Sequence, residues 1–264
     1  MLNIPVKVSP VTLNYEVWAT LYDKVYGDVV DDIPYYVNQI TGPDHAVLEL
    51  GCGTGRVSIP IAEVTSKLTA LDLSGQMINV LKQKAVLGGL ILDCVIADMR
   101  YFELDVKFDL IIIPFRGFQS LLLKGDQEKC LAAINKHLKE DGKVIVDMFF
   151  PSLEMFDQDN RVFYEVKRIS GEDPRTSTLV KHRSSFDMHS QLIETTLLVE
   201  SSKADLVTET RYLDFTLRYI HPKEAEYLFL NNGFITRNIV NNFTNSIENQ
   251  SSEMIFELEK KCDY

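Results

Sequence analysis

The chain is short of the features that bind nucleic acid, build a metal site or enter a bilayer. Its 264 residues carry 27 Lys and Arg against 38 Asp and Glu, a net charge of −11. Non-specific nucleic-acid binding draws its affinity from cations that displace phosphate counterions, so this balance argues against such a partner. The longest basic grouping is only Lys260-Lys261. The four cysteines, at 52, 94, 130 and 262, share no metal or redox spacing and form no C-x-x-C, so they read as unpaired thiols of a reducing compartment, with no metal implied. No apolar run approaches transmembrane length, and Met1–Lys7 has no apolar signal core, so a cytoplasmic protein with no membrane partner is expected. Internal repeats and low-complexity stretches are also missing.

What is present is an alternation of element types. After Pro10 aromatic and aliphatic residues recur at helical spacing: Tyr15, Trp18, Tyr22 and Tyr26, then Ile33, Tyr36 and Val37. From residue 46 strands and helices take turns, with strands expected at 46–50, 68–72, 93–97, 108–114 and 143–149. Helices are expected at 57–64, 75–87 and 126–139, the last capped by Asp141-Gly142. Such alternation predicts a parallel sheet with right-handed crossovers and helices on both faces. Beyond 160 the pattern changes to period two, over 161–169, 178–186, 191–199 and 208–219, which predicts an antiparallel sheet. A helix at 222–232, entered through Pro222, and strands at 234–241 and 253–259 complete the set. The expected organisation is a helical lid at 1–45, an α/β core at 46–155 and 220–264, and an antiparallel insertion at 156–219.

In doubly wound sheets ligands sit beyond the carboxyl ends of the strands, so the residues there are the candidates. The first strand leads into Leu50-Gly51-Cys52-Gly53-Thr54-Gly55-Arg56. Glycine is needed where backbone turns tightly against a small molecule. A dinucleotide fingerprint, G-x-G-x-x-G, would set its third glycine at position 56, where this chain has Arg56. Glu49, just ahead of the loop, would repel a pyrophosphate and suits a cationic group such as an α-ammonium. Asp72 closes the second strand about 20 residues beyond the loop, where a carboxylate can accept ribose hydroxyls. Asp98 and Met99 close the third, an acid for an adenine amino group and a soft surface for the ring. After the fourth strand come Pro114, Phe115, Arg116 and Phe118, which can shape a cavity and hold an anion, or equally be core and solvated surface.

The E-x-G-x-G-x-G pattern resembles motif I of the class I S-adenosylmethionine-dependent methyltransferases, and Tyr22-Asp23…Tyr26 resembles the Y-D-x-x-Y lid helix of small-molecule members such as amino-sugar N-methyltransferases and glycine N-methyltransferase-like proteins. The resemblance implies a mainly parallel, seven-stranded Rossmann-like fold with S-adenosyl-L-methionine as cofactor. Tyr22, Glu49, Gly51, Cys52, Gly53, Gly55, Asp72, Leu73, Met77, Asp98, Met99 and Pro114 would hold that cofactor. Tyr15, Tyr26, Phe115, Arg116, Phe118, Arg218 and Tyr219 would border the acceptor. The methyl would pass by direct displacement to an N, O or C atom of a small metabolite. If a base is needed, the candidates are Tyr22 and His221, although His221 equally suits the entry to the helix at 222. The loop after the fourth strand lacks the Asn/Asp-Pro-Pro-Tyr sequence of enzymes that methylate amino groups of nucleic acids and proteins, which disfavours those substrates. The insertion's outer face and edges are free for homodimerisation. A non-catalytic binding or assembly protein on the same fold is the alternative.

Overall fold

A computed structural model describes residues 15–171, 173–204, 206–243 and 253–261. In chain order the lid contributes α1 (Tyr15–Tyr26) and α2 (Ile33–Val37), followed by β1 (Val47–Leu50), α3 (Ser58–Ala62), β2 (Leu68–Asp72), α4 (Gly75–Gly88), β3 (Asp93–Ile96) and β4 (Phe108–Ile113). Then come α5 (Lys124–His137), β5 (Leu138–Phe149), α6 (Leu153–Phe156), β6 (Tyr164–Ser170), β7 (Thr176–Asp187), β8 (Leu192–Lys203), β9 (Leu206–Arg218), α7 (Pro222–Asn231), β10 (Phe234–Asn241) and β11 (Glu253–Lys260). No helix among the described residues is long and apolar enough to cross a membrane.

Two sheets result. The larger has seven strands in the order β10-β11-β5-β4-β1-β2-β3, and the smaller four in the order β6-β7-β8-β9. β1 through β5 pair in parallel, while β11 runs antiparallel to β5 and β10 antiparallel to β11. Central strands buried on both faces must be apolar throughout, and Leu110 to Ile113 of β4 are each at most 1% exposed. One face packs α5 and α7 through Leu131, Ile134, Leu228 and Phe229. The other packs α2 and α3 through Tyr36 and Ile61. The strand order reverses between β1 and β4, and a ligand crevice belongs there.

The expected Asp141-Gly142 helix cap is a strand bulge instead. Helix α5 stops at His137, and the β4–β5 register jumps from Phe108↔Leu138 to Leu110↔Lys143. Lys139 ties the bulge to Asp109 (2.8 Å).

The smaller sheet turns its apolar face to α1. Val180, Leu197 and Leu213 pack on Trp18, Leu21 and Val25. Its joint with the core is Gln119, fully buried in the turn after β4. That side chain donates to the carbonyls of Phe149 (2.9 Å) and Arg218 (3.0 Å) and accepts from the Phe149 N–H (2.7 Å).

Candidate functional site

At the carboxyl ends of β1, β2, β3 and β4, under α1, lies a cavity of about 480 Å³. That is within the range of small-molecule sites. The glycine loop contributes Gly51 and Gly53 to its lining, both at positive φ (74° and 56°). A Cβ placed on Gly53 would meet nothing within 4 Å, so any side chain there would project into the cradle and fill it. Gly55 has a different task, because a Cβ there would stand 2.3 Å from Leu81 Cδ1, which packs the loop against α4 and would have to give way.

Asp72 finishes β2 facing this loop. Its Oδ2 accepts from the Gly53 N–H (2.8 Å) and its Oδ1 from the Ser74 N–H (2.8 Å). Burial raises its carboxyl, and the backbone donors oppose that. A carboxylate has about four acceptor positions, so both oxygens retain capacity for ligand hydroxyls. Ser74 caps α4 through the Met77 N–H, which brings Leu73 and Met77 to the cavity wall. Asp98 is gripped by Arg100, whose Nη1 also reaches Asp126 (2.8 Å), and this pairing holds the Asp98 carboxyl below its usual value. Met99 lies opposite Gly51, its Cε 3.5 Å from where a Cβ of that glycine would be.

The wall beyond β4 is a sharp corner. Phe115 and Arg116 are both left-handed (φ 50° and 66°), a conformation that side chains disfavour. The Phe115 N–H donates to Asp147 Oδ2 (2.9 Å), and the Arg116 guanidinium pairs with Glu253. The Phe115 ring lies under the Arg56 guanidinium (4.7 Å), with Arg116 at 5.6 Å and the Tyr26 ring edge-on at 4.9 Å.

The roof is α1. Trp18 meets Tyr22 and Tyr26 edge to face at 5.5 and 5.7 Å, the two tyrosine rings tilt together at 5.3 Å, and all three line the cavity. Burial raises both tyrosine hydroxyls above their usual value, so they are neutral donors at physiological pH and not bases. The roof is fastened by the glycine loop's own side chains. Thr54 donates to Asp23 (2.7 Å), which also pairs with Lys84. Arg56 holds both oxygens of Asp32 (2.5 and 2.6 Å) and the Val29 carbonyl. The residue that spoils the dinucleotide fingerprint is therefore a buried clamp on the lid.

The cavity thus brings together Tyr22, Tyr26, Gly51, Gly53, Asp72, Leu73, Met77, Asp98, Met99, Phe115 and Arg116. Other candidates are placed elsewhere. Glu49 is 1% exposed and accepts from Ser58 Oγ at the base of α3, and burial pushes its carboxyl up to about 8. Cys52 packs against Ile78 and Leu81, and Pro114 is buried behind the corner. Phe118 is core, facing Phe229, because the tight turn after Arg116 rotates it inward. Strand alternation sends Leu217 to the cavity and Arg218 away, to Glu224 and Gln191. Tyr219 packs with Phe156, and His221 caps α7 against the Phe150 ring. The Tyr15 side chain lies outside the described residues.

Trp18, Arg100, Asp126, Phe215 and Leu217 also line the cavity and were not singled out from the sequence. Trp18 had a signal, since it shares the helical face of Tyr22 and Tyr26. Phe215 and Leu217 are inward positions of an alternating strand, with nothing local to mark them.

Residues 47–142 match a family model described as a methyltransferase domain. A putative methyltransferase of Bacillus subtilis, YqeM, is 25% identical over 252 residues, covering 92% of this chain and 95% of its own length. Among solved structures, an S-adenosylmethionine-dependent methyltransferase from Clostridium acetobutylicum aligns with a TM-score of 0.77 at 18% identity, over 94% of this chain and 99% of its own. CalS10 of Micromonospora echinaspora, an amino pentose methyltransferase, aligns with a TM-score of 0.69 at 20% identity, over 94% and 96%. At these identities the structural likeness is one of fold.

Proposed function

We propose that the chain is an S-adenosylmethionine-dependent methyltransferase whose acceptor is a small amine-bearing metabolite, methylated under the α1 roof. The observation that carries this reading is the single cavity joining the glycine cradle and Asp72 to an aromatic chamber of Trp18, Tyr22, Tyr26, Phe115 and Phe215. The cradle fits the cofactor: Gly53 leaves space that any side chain would fill, Asp72 offers acceptors for ribose hydroxyls, and Leu73, Met77 and Met99 offer apolar surface to a ring.

Bound S-adenosylmethionine supplies a sulfonium methyl open to direct displacement. The chain's task is then to align the acceptor and exclude water. Trp18, Tyr22 and Tyr26 shut the chamber from above, and Phe115 fixes its side. Aromatic faces favour an amine or its ammonium through cation–π contact. Nitrogen is preferred over oxygen because the tyrosines remain protonated, Asp98 is held by Arg100, and Arg116 is neutralised by Glu253. A neutral amine needs no base, whereas an alcohol does. The amino pentose methyltransferase sharing this fold is consistent with such an acceptor. We take the setting to be the cytoplasm, where the thiols of Cys52, Cys94 and Cys130 would remain unpaired.

The test is S-adenosylhomocysteine formation in the presence of a panel of small amines, alcohols and carbon acids. Turnover of amines is the expected result. Turnover of alcohols alone would refute the nitrogen assignment, and cofactor binding with no turnover on any acceptor would leave a binding protein.

A further inference from the structure

Asp147 is the one polar side chain that β5 places among the apolar residues beneath α2, and it is 1% exposed. One oxygen accepts from both the Phe115 N–H (2.9 Å) and the Tyr36 hydroxyl (3.3 Å). The other, Oδ1, is buried with no hydrogen-bond partner. A carboxyl held this way destabilises the fold relative to a well-packed apolar side chain, so its presence calls for a role other than stability. The bond it makes is to a strained position. Phe115 is left-handed and has a side chain, and such residues persist only where their surroundings over-determine them. The Phe115 ring in turn touches the lid at Tyr26 on α1 and reaches it again through Arg56 of the glycine loop, which holds Asp32 and Val29 of the segment after α1.

We propose that Asp147 is a positioning residue: by fixing the Phe115 N–H it sets the corner after β4 as the seat on which the α1 lid closes over the cavity. The role rests on reading that cavity as the methyl-transfer site, but the closure itself is measurable without cofactor. Tyr36 places α2 on the same carboxylate, so one side chain registers the corner with the lid's second helix as well.

The reporter is Trp18, the chain's single tryptophan, which sits on the lid helix α1 and is 7% exposed where that helix packs down. Acrylamide quenching of its fluorescence reads lid opening directly. Asp147→Leu is expected to raise quenching by about threefold, with a cooperative melt no lower than that of the wild type. Asp147→Asn, which retains an acceptor for Phe115, is expected to restore the wild-type value. Phe115→Ala removes the seat without touching the carboxylate and is expected to raise quenching like Asp147→Leu, which keeps the test decisive if the leucine variant folds poorly. Unchanged quenching in Phe115→Ala, or equal quenching in the Asn and Leu variants, overturns the proposal. S-adenosylhomocysteine binding by the wild type, measured separately, tests the cavity's function, so the two readings fail independently.

Discussion

Gly53 and Gly55 stand two residues apart and are glycine for opposite reasons. Gly53 faces the open space of the cavity, and Gly55 has no room for a Cβ because Leu81 is already there. Substituting them separates binding from stability. Gly55→Ala must displace Leu81 and hold alanine at φ 87°, so a loss of about 1–3 kcal/mol is expected in denaturant unfolding. The positions of Gly53 and Asp72 at the cavity were legible in the sequence because chain geometry at a strand end leaves few options, whereas Gly55, expected at the cofactor, packs on Leu81 instead. The placement of Glu49 was not, since a carboxylate string does not say which side of the sheet receives the side chain. Its burial at the base of α3 gives it a pH signature. The folded state keeps the Glu49 proton up to about 8, whereas the unfolded chain releases it near 4.5. Between those values the folded state binds more protons, so Glu49's contribution, fully present at low pH, is lost as pH rises towards 8. Glu49→Gln is expected to flatten the fall in melting temperature between about pH 5 and pH 8. A slope unchanged by the substitution would refute the burial.

Among the elements, alternating strands and helices were readable from periodicity, and β10 covers the expected 234–241 to the residue. What could not be read was how elements join, because joints depend on single polar side chains at long sequence separation. Gln119 is the clearest, clasping β5 and the end of β9 from a turn whose sequence gives no hint of it. Gln119→Leu leaves the Phe149 N–H and carbonyl without partners in a buried joint. A loss of about 1–3 kcal/mol per unsatisfied group is expected, read as a lower unfolding midpoint. Arg56 is similar: its identity argued correctly against a dinucleotide, while its partner Asp32 was invisible without the fold. Breaking a buried pair by removing one partner is strongly destabilising, so Arg56→Met is expected to release the lid and open residues 28–32 to proteolysis.

Across the whole molecule the reversal of strand order at β1 and β4 places the cavity, and the antiparallel sheet supplies Phe215 and Leu217 from the far side. A core, a lid and a second sheet thus converge on one cavity, each contributing a wall it could not form alone. The central claim is that this cavity is built around S-adenosylmethionine, with Gly53 at its cradle. Isothermal titration with S-adenosylhomocysteine tests that most directly, comparing wild type with Gly53→Arg. The account predicts one site per chain in the wild type and none in the variant, which still melts cooperatively, its melting temperature lowered only by the strain of a side chain at φ 56°. Equal binding by both proteins, or none by the wild type, would contradict it.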